Sequence, residues 1–234
     1  MPTSFKEKKE PSVSIALIYA AMMSFFGVIV GMVYLMSLPL QGFSSMAERA
    51  KAREERNSLD PVPTDAFYLE GPVLQTSSWE AKRNRLINGG AGVLEISPGE
   101  INAWFASKFQ PSSGPPAKNE EGILIVPGQP NVAVSEEGVF FVNLPAQVSG
   151  YGMNAEYVLS AIGGYSSGAP AVFKIDQLKI GSAKMPLPDL LGSQIIDVLT
   201  QSYKQTKEYK TILSAWERVD SVEFSGSSLR LKLL

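Results

Sequence analysis

The chain reads as an α+β protein: one N-terminal transmembrane helix, then an antiparallel β-meander sheet packed with about three helices. Three observations predict this. Residues 13–38 form an uninterrupted apolar run, and residues 131–180 carry period-two strand patterns. Ser97-Pro98-Gly99-Glu100 opens a segment whose apolar residues recur at helical spacing. Hydrophobic residues make up 44% of the 234 positions and charged residues 19%, which is too apolar for a disordered chain.

Taken in order, residues 1–12 are a short tail with Lys6, Lys8 and Lys9. Val13–Leu38 follows, inside a stretch (11–47) free of Asp, Glu, Lys and Arg. A helix crosses a hydrocarbon core of ~30 Å in ~20 residues, so this run spans it with some tilt, and Pro39 and Gly42 end it. Ser45-Met46-Ala47 has small residues at a cleavage-like spacing, but a signal h-region is only ~7–15 residues long. An uncleaved anchor is therefore the expectation. The lysines lie closer to the run than Arg49, Lys51, Arg53 and Arg56, which favours a cytoplasmic N-terminus and an extracytoplasmic domain. Ala20, Ser24, Gly27 and Gly31 recur on one face, and Gly27 and Gly31 have the Gly-x-x-x-Gly spacing that lets helix backbones approach. They are the candidate residues for helix packing.

Residues 39–75 read as a charged stalk and linker. Ser45–Arg56 fits a short helix with a Ser45/Glu48 capping box and a Lys51–Glu55 pair, but almost no apolar face. Residues 76–234 read as a single α+β domain. Its expected elements begin with a helix from Ser77 or Ser78 to Gly89, a strand over Gly92–Ile96, and a helix over Ser97–Phe109 with an aromatic stripe suited to core packing. A loop over Gln110–Gly122 separates these from strands near 131–135, 139–148, 153–162 and 171–180. Pro145 marks an edge or a bulge. Helices from Pro188 to about Tyr203 and over Glu208–Arg218 follow, and a hairpin closes the chain, with Leu229, Leu231 and Leu233 on one side. Val139, Phe141, Val158, Ile162, Leu178 and Ile180 fall on what reads as the opposite sheet face. They require either a second covering layer or a ligand groove.

The chain contains no Cys and no His, which excludes disulfides, thiolate nucleophiles, Cys/His zinc sites and imidazole bases. From Leu59 onward there are 14 basic against 18 acidic residues with no basic stripe, which argues against nucleic-acid binding. Tyr203 and Lys207 have a dehydrogenase-like spacing but no accompanying dinucleotide fingerprint. Gly89-Gly90-Ala91-Gly92 precedes a strand and reads as a turn, and Ser-x-x-Lys is absent. Glu120-Glu121 and Glu136-Glu137 read as solvated turn charges. No catalytic, cofactor or metal residue is expected.

In overall arrangement the chain resembles the YpmS-like family of small bacterial envelope proteins. The likeness rests on one N-terminal membrane helix, the segment SPGEINAWFASKF, and Leu178–Ser182 through Met185-Pro186-Leu187-Pro188 opening a helix. It implies an extracytoplasmic domain that holds apolar or lipid-like ligands, and it implies no catalytic residue. The functional expectation is a non-enzymatic, single-pass, membrane-anchored envelope protein. Its expected partners are the membrane, a protein partner or second copy through the transmembrane helix, and a lipid or other apolar ligand. The rival from another class is an envelope hydrolase using carboxylates or Ser/Lys.

Overall fold

The computed structural model describes residues 13–38, 40–56, 67–109, 124–150, 153–186, 194, 197, 200, 201 and 203–234. The expected basic tail, the Gln110–Gly122 loop with Glu120-Glu121, and the prolines at 61 and 63 lie outside the described residues. So does most of the helix expected to begin at Pro188, although Gln194, Asp197, Thr200, Gln201, Tyr203 and Lys204 are helical.

Helix α1 (Val13–Ser37) is long and apolar enough to cross a membrane, and Val13–Gly31 is exposed throughout. Four further helices are described: α2 (Met46–Glu55), α3 (Ser78–Asn88), α4 (Pro98–Lys108) and α5 (Lys207–Trp216). The fold is α+β, with three sheets among the described residues.

The largest sheet contains β4 (Leu124–Pro127), β5 (Asn131–Val134), β6 (Phe140–Gly150), β7 (Met153–Tyr165), β8 (Phe173–Ile180) and β9 (Ala183–Lys184). Its pairings are antiparallel, as the meander reading expects. Strands β4 and β5 share one edge of β6. Residues 124–127 pair with 146–149 and residues 131–134 with 140–143, so Gly128, Gln129 and Pro130 face only Leu144 and Pro145. The Pro145 carbonyl accepts from Gly128 N at 2.7 Å. The proline nitrogen, which has no hydrogen to donate, therefore faces this bulge, and a central strand tolerates it.

Strands β3 (Gly92–Ile96), β10 (Val219–Ser225) and β11 (Ser228–Leu233) form a second sheet in the order β10-β11-β3. The terminal hairpin is thus paired with β3 rather than with the meander. Leu229, Leu231 and Leu233 are buried while Arg230 and Lys232 are exposed. The main core lies between the sheets. Val132 and Phe140 come from the larger sheet, and Leu94, Ile96, Val219 and Leu231 from the smaller. Trp79, Leu86, Trp104 and Ala215 come from the helices.

The far face of the larger sheet is covered by the segment expected to be a solvated stalk. Strands β1 (Gln41–Phe43) and β2 (Phe67–Leu69) pair in parallel, and Phe43, Met46, Phe67 and Leu69 pack with Ala133, Phe141, Val139 and Ile162. The Arg49 guanidinium lies 3.8 Å from the centroid of the Phe67 ring and Lys179 Nζ lies 4.7 Å from it. The long stems of basic residues cover apolar surface here, so α2 docks without an apolar stripe of its own. The described residues of 39–75 therefore belong to the folded body.

Leu178 and Ile180 belong to the core face rather than the far one. The β7–β8 register steps from Ile162–Gln177 to Gly163–Ile175, so Asp176 is an extra residue. One inserted residue inverts the alternation, placing Phe173, Ile175, Leu178 and Ile180 together and turning Lys179 toward Phe67.

Candidate functional site

An apolar hollow in the intersheet core is built on α4. Ser97 accepts a hydrogen bond from Glu100 N at 3.3 Å, and Glu100 Oε2 accepts from Ser97 N at 2.9 Å, forming a capping box at the helix start expected from Ser97-Pro98-Gly99-Glu100. This fixed start aims Ile101, Trp104 and Phe105, at i, i+3 and i+4, into the space between the sheets. Together with Phe109 they line a cavity of about 250 Å³. Leu94, Ile96, Leu229 and Leu231 wall it on the small-sheet side, Val132, Phe140, Val142 and Tyr165 on the large-sheet side, and Leu86, Ile212 and Trp216 from α3 and α5.

The volume is slightly below the range of about 300–1,000 Å³ usual for ligand sites and above the ~150 Å³ apolar cavity that admits benzene. At about 24 cal/mol per Å³, filling it with hydrocarbon is worth on the order of several kcal/mol.

Its polar groups are few and mostly satisfied. Trp104 Nε1 donates to Glu208 Oε1 at 2.8 Å and Trp216 Nε1 donates to the Ala171 carbonyl at 2.7 Å, so both indoles present hydrocarbon to the cavity. Trp79 stacks on Trp104, with ring centroids 6.5 Å apart. Lys82, the charged residue of the lining, is paired with Glu100 at 2.6 Å. Tyr165 sits among Phe140, Phe173 and Trp216, and burial pushes its phenol well above the ordinary value, so it stays protonated. None of the described residues hydrogen-bonds its hydroxyl. The lining therefore suits a neutral, hydrocarbon-rich molecule with at most a single hydrogen-bond acceptor.

Two carboxylates flank this region, and both are committed to structure. Hydrogen bonds from Arg83, one at 2.6 Å to Glu208 Oε2, hold Glu208 below the usual carboxylate range against the opposing effect of burial, and Trp104 adds to this. Burial raises the Glu100 carboxyl, but hydrogen bonds from Lys82, the Ser97 backbone and Ser78 outweigh it and leave it lowered. A group held ionised in this way is a poor general acid at neutral pH.

A second cleft of about 400 Å³ is lined by Ser44, Ser45, Glu70, Ser97, Ser135 and Glu136 among others. The starts of α2 and α4 meet it, but Glu48 and Glu100 already occupy donors there. With Glu70 and Glu136 also in the lining, it is unsuited to an anion.

Ala20, Ser24, Gly27 and Gly31 are exposed along α1, and a Cβ built on Gly27 or Gly31 meets nothing within 4 Å. Tyr203, from the dehydrogenase-like spacing, is buried and donates to the Gly128 carbonyl at 2.6 Å. Gly89 caps α3, whose last carbonyls accept from Arg218. Glu136 and Glu137 are exposed in a turn. Among the described residues no group of three or more His, Cys, Asp or Glu is arranged to hold a metal. No protein family matches the chain, and no curated protein matches it.

Proposed function

We propose that this chain is a single-pass, membrane-anchored binding protein of the cell envelope whose α+β body holds an apolar, lipid-like molecule between its two sheets, without catalytic turnover. The observation that carries this reading is the hollow over α4, lined by carbon from two sheets and three helices with its one charge neutralised. Length and composition of α1 support the anchor, and the lysines of the N-terminal tail favour a cytoplasmic N-terminus with the body on the opposite side. The resemblance in arrangement to YpmS-like envelope proteins points the same way. The exposed row Ala20, Ser24, Gly27 and Gly31 is where a protein partner or a second copy would pack against the anchor. Against the hydrolase reading stand the ion pairs that commit Glu100 and Glu208.

The three tryptophans provide the test. Trp104 and Trp216 line the cavity, Trp79 stacks on Trp104, and α1 contains none. A dibrominated long-chain alcohol, neutral and with a single oxygen, is added to the intact chain and is expected to quench tryptophan emission saturably. Val142→Phe, which projects a larger side chain into the cavity, is expected to weaken that quenching several-fold while leaving the thermal midpoint nearly unchanged. Equal quenching in the two chains, or none in either, would sink the reading.

A further inference from the structure

The end of α1 is built into the body. Val13–Gly31, the part of the helix exposed throughout, has 19 residues and a length of about 28 Å, which matches a hydrocarbon core of ~30 Å. Beyond Gly31, Met32, Met36, Leu38 and Leu40 become half-buried, and Met32 packs against the apolar cluster that contains Leu178 and Met185. The last carbonyls of a helix lack intrahelical donors. Here Ser182 N donates to the Leu35 and Leu38 carbonyls, each at 3.1 Å, from the turn between β8 and β9. Gly181 in that turn has φ +53°, and a Cβ on it would stand 2.3 Å from the Met36 carbonyl oxygen. Only glycine allows so close an approach in that conformation. Two residues past Ser182, Lys184 is exposed.

We infer that the β8–β9 side of the body rests on the bilayer surface, held there by the joint between Gly181-Ser182 and the end of α1, with the lipid headgroup layer as its partner. The inference rests on the reading of α1 as a membrane span. If Val13–Gly31 fills the hydrocarbon core, the joint leaves no free chain between bilayer and body, and Lys184 falls at headgroup depth, where anionic lipids favour a cation. Phe109 of the cavity lining belongs to the same apolar cluster that Met32 touches, so this seat turns the Phe109 end of the cavity toward the membrane.

The chain has no cysteine, so each introduced one is unique. Nitroxide labels at Val28→Cys, Lys184→Cys and Glu136→Cys are compared in the full chain, reconstituted in phosphatidylcholine–phosphatidylglycerol vesicles. Glu136 precedes the start of β6, whose Phe140 pairs with Gly163, and Gly163 pairs with Ile175, five residues before the β8–β9 end of the strand. The Val28 label is expected to collide with oxygen and not with a water-soluble nickel chelate. The Lys184 label is expected to show intermediate accessibility and slow motion, and the Glu136 label full accessibility to nickel. Adding Gly181→Val is expected to make the Lys184 label behave like the one at Glu136, with the Val28 label unchanged.

A lipid-buried Val28 label with Lys184 as open to nickel as Glu136 overturns the seat and leaves the anchor standing. Lys184 remaining at headgroup depth in Gly181→Val overturns the joint. A Val28 label open to nickel overturns the anchor and the seat together.

Discussion

Asn102→Leu is expected to lower the folding stability of the body by about 3–5 kcal/mol, a large fraction of what a domain of this size possesses. Asn102 is fully buried. Its amide nitrogen donates to the Pro72 carbonyl at 3.0 Å and to the Val132 carbonyl at 2.9 Å, and its amide oxygen accepts from Val132 N at 2.7 Å. One side chain thus ties α4, β5 and the segment after β2 together. Leucine has the same branching and the same number of side-chain heavy atoms and is the larger of the two, so the cost is not a cavity. It comes from the Val132 N–H and carbonyl left in the interior without partners, at about 1–3 kcal/mol each before relaxation, whereas the carbonyl of the exposed Pro72 can turn to water. The neighbouring contacts leave little room to relax, since a Cβ on Gly71 would already stand 1.9 Å from the Val132 carbonyl oxygen. A chemical-denaturation midpoint on the intact chain checks this. A loss under about 1 kcal/mol would show that water or a shifted backbone replaces these bonds.

The second large effect is electrostatic. Glu208→Gln is expected to cost roughly 2–3 kcal/mol at neutral pH, because hydrogen bonds to a charged partner are worth about 1.5–3 kcal/mol and Arg83 is left without its carboxylate. The same pairing sets an acid dependence. Arg83 holds the Glu208 carboxyl below its ordinary value of 4.5 in the folded chain, and Lys82 with its neighbours does so for Glu100. A lowered folded value means that the unfolded chain takes up protons first. The stabilisation is complete above the ordinary carboxylate range and is lost as pH falls through about 4.5 and below. Thermal midpoints are therefore expected to fall on acidification below pH ~5, and to fall less steeply in Glu208→Gln. Parallel curves for the two chains would remove Glu208 from the account.

Much of this fold is legible locally. Ser97-Pro98-Gly99-Glu100 specifies the start of α4 without help from elsewhere, because cap, proline and reciprocal glutamate act within four residues. Strand β11 reads directly from its alternating leucines. What escapes the sequence is carried by long-range contact. Phe43, Met46, Phe67 and Leu69 show no period, and they acquire meaning only when Phe141 and Ile162 arrive from the larger sheet. The extra residue at Asp176 inverts the face of Leu178 with no glycine or proline in its own strand to announce it, the signal lying across the ladder at Gly163, which pairs with Ile175 at the shift. The cavity is harder still. Ile101, Trp104 and Phe105 read as a core stripe, and they do enter the core, but the space they leave depends on how α3, α5 and two sheets meet above them.

The central claim is that the space over α4 is a binding site rather than a packing fault. Native mass spectrometry of the intact chain, released from micelles, addresses it most directly. The expected spectrum shows one neutral, hydrocarbon-rich adduct per chain that survives collisional activation and disappears in Val142→Phe. Bare protein at every activation energy, or identical adducts in both chains, would contradict the claim.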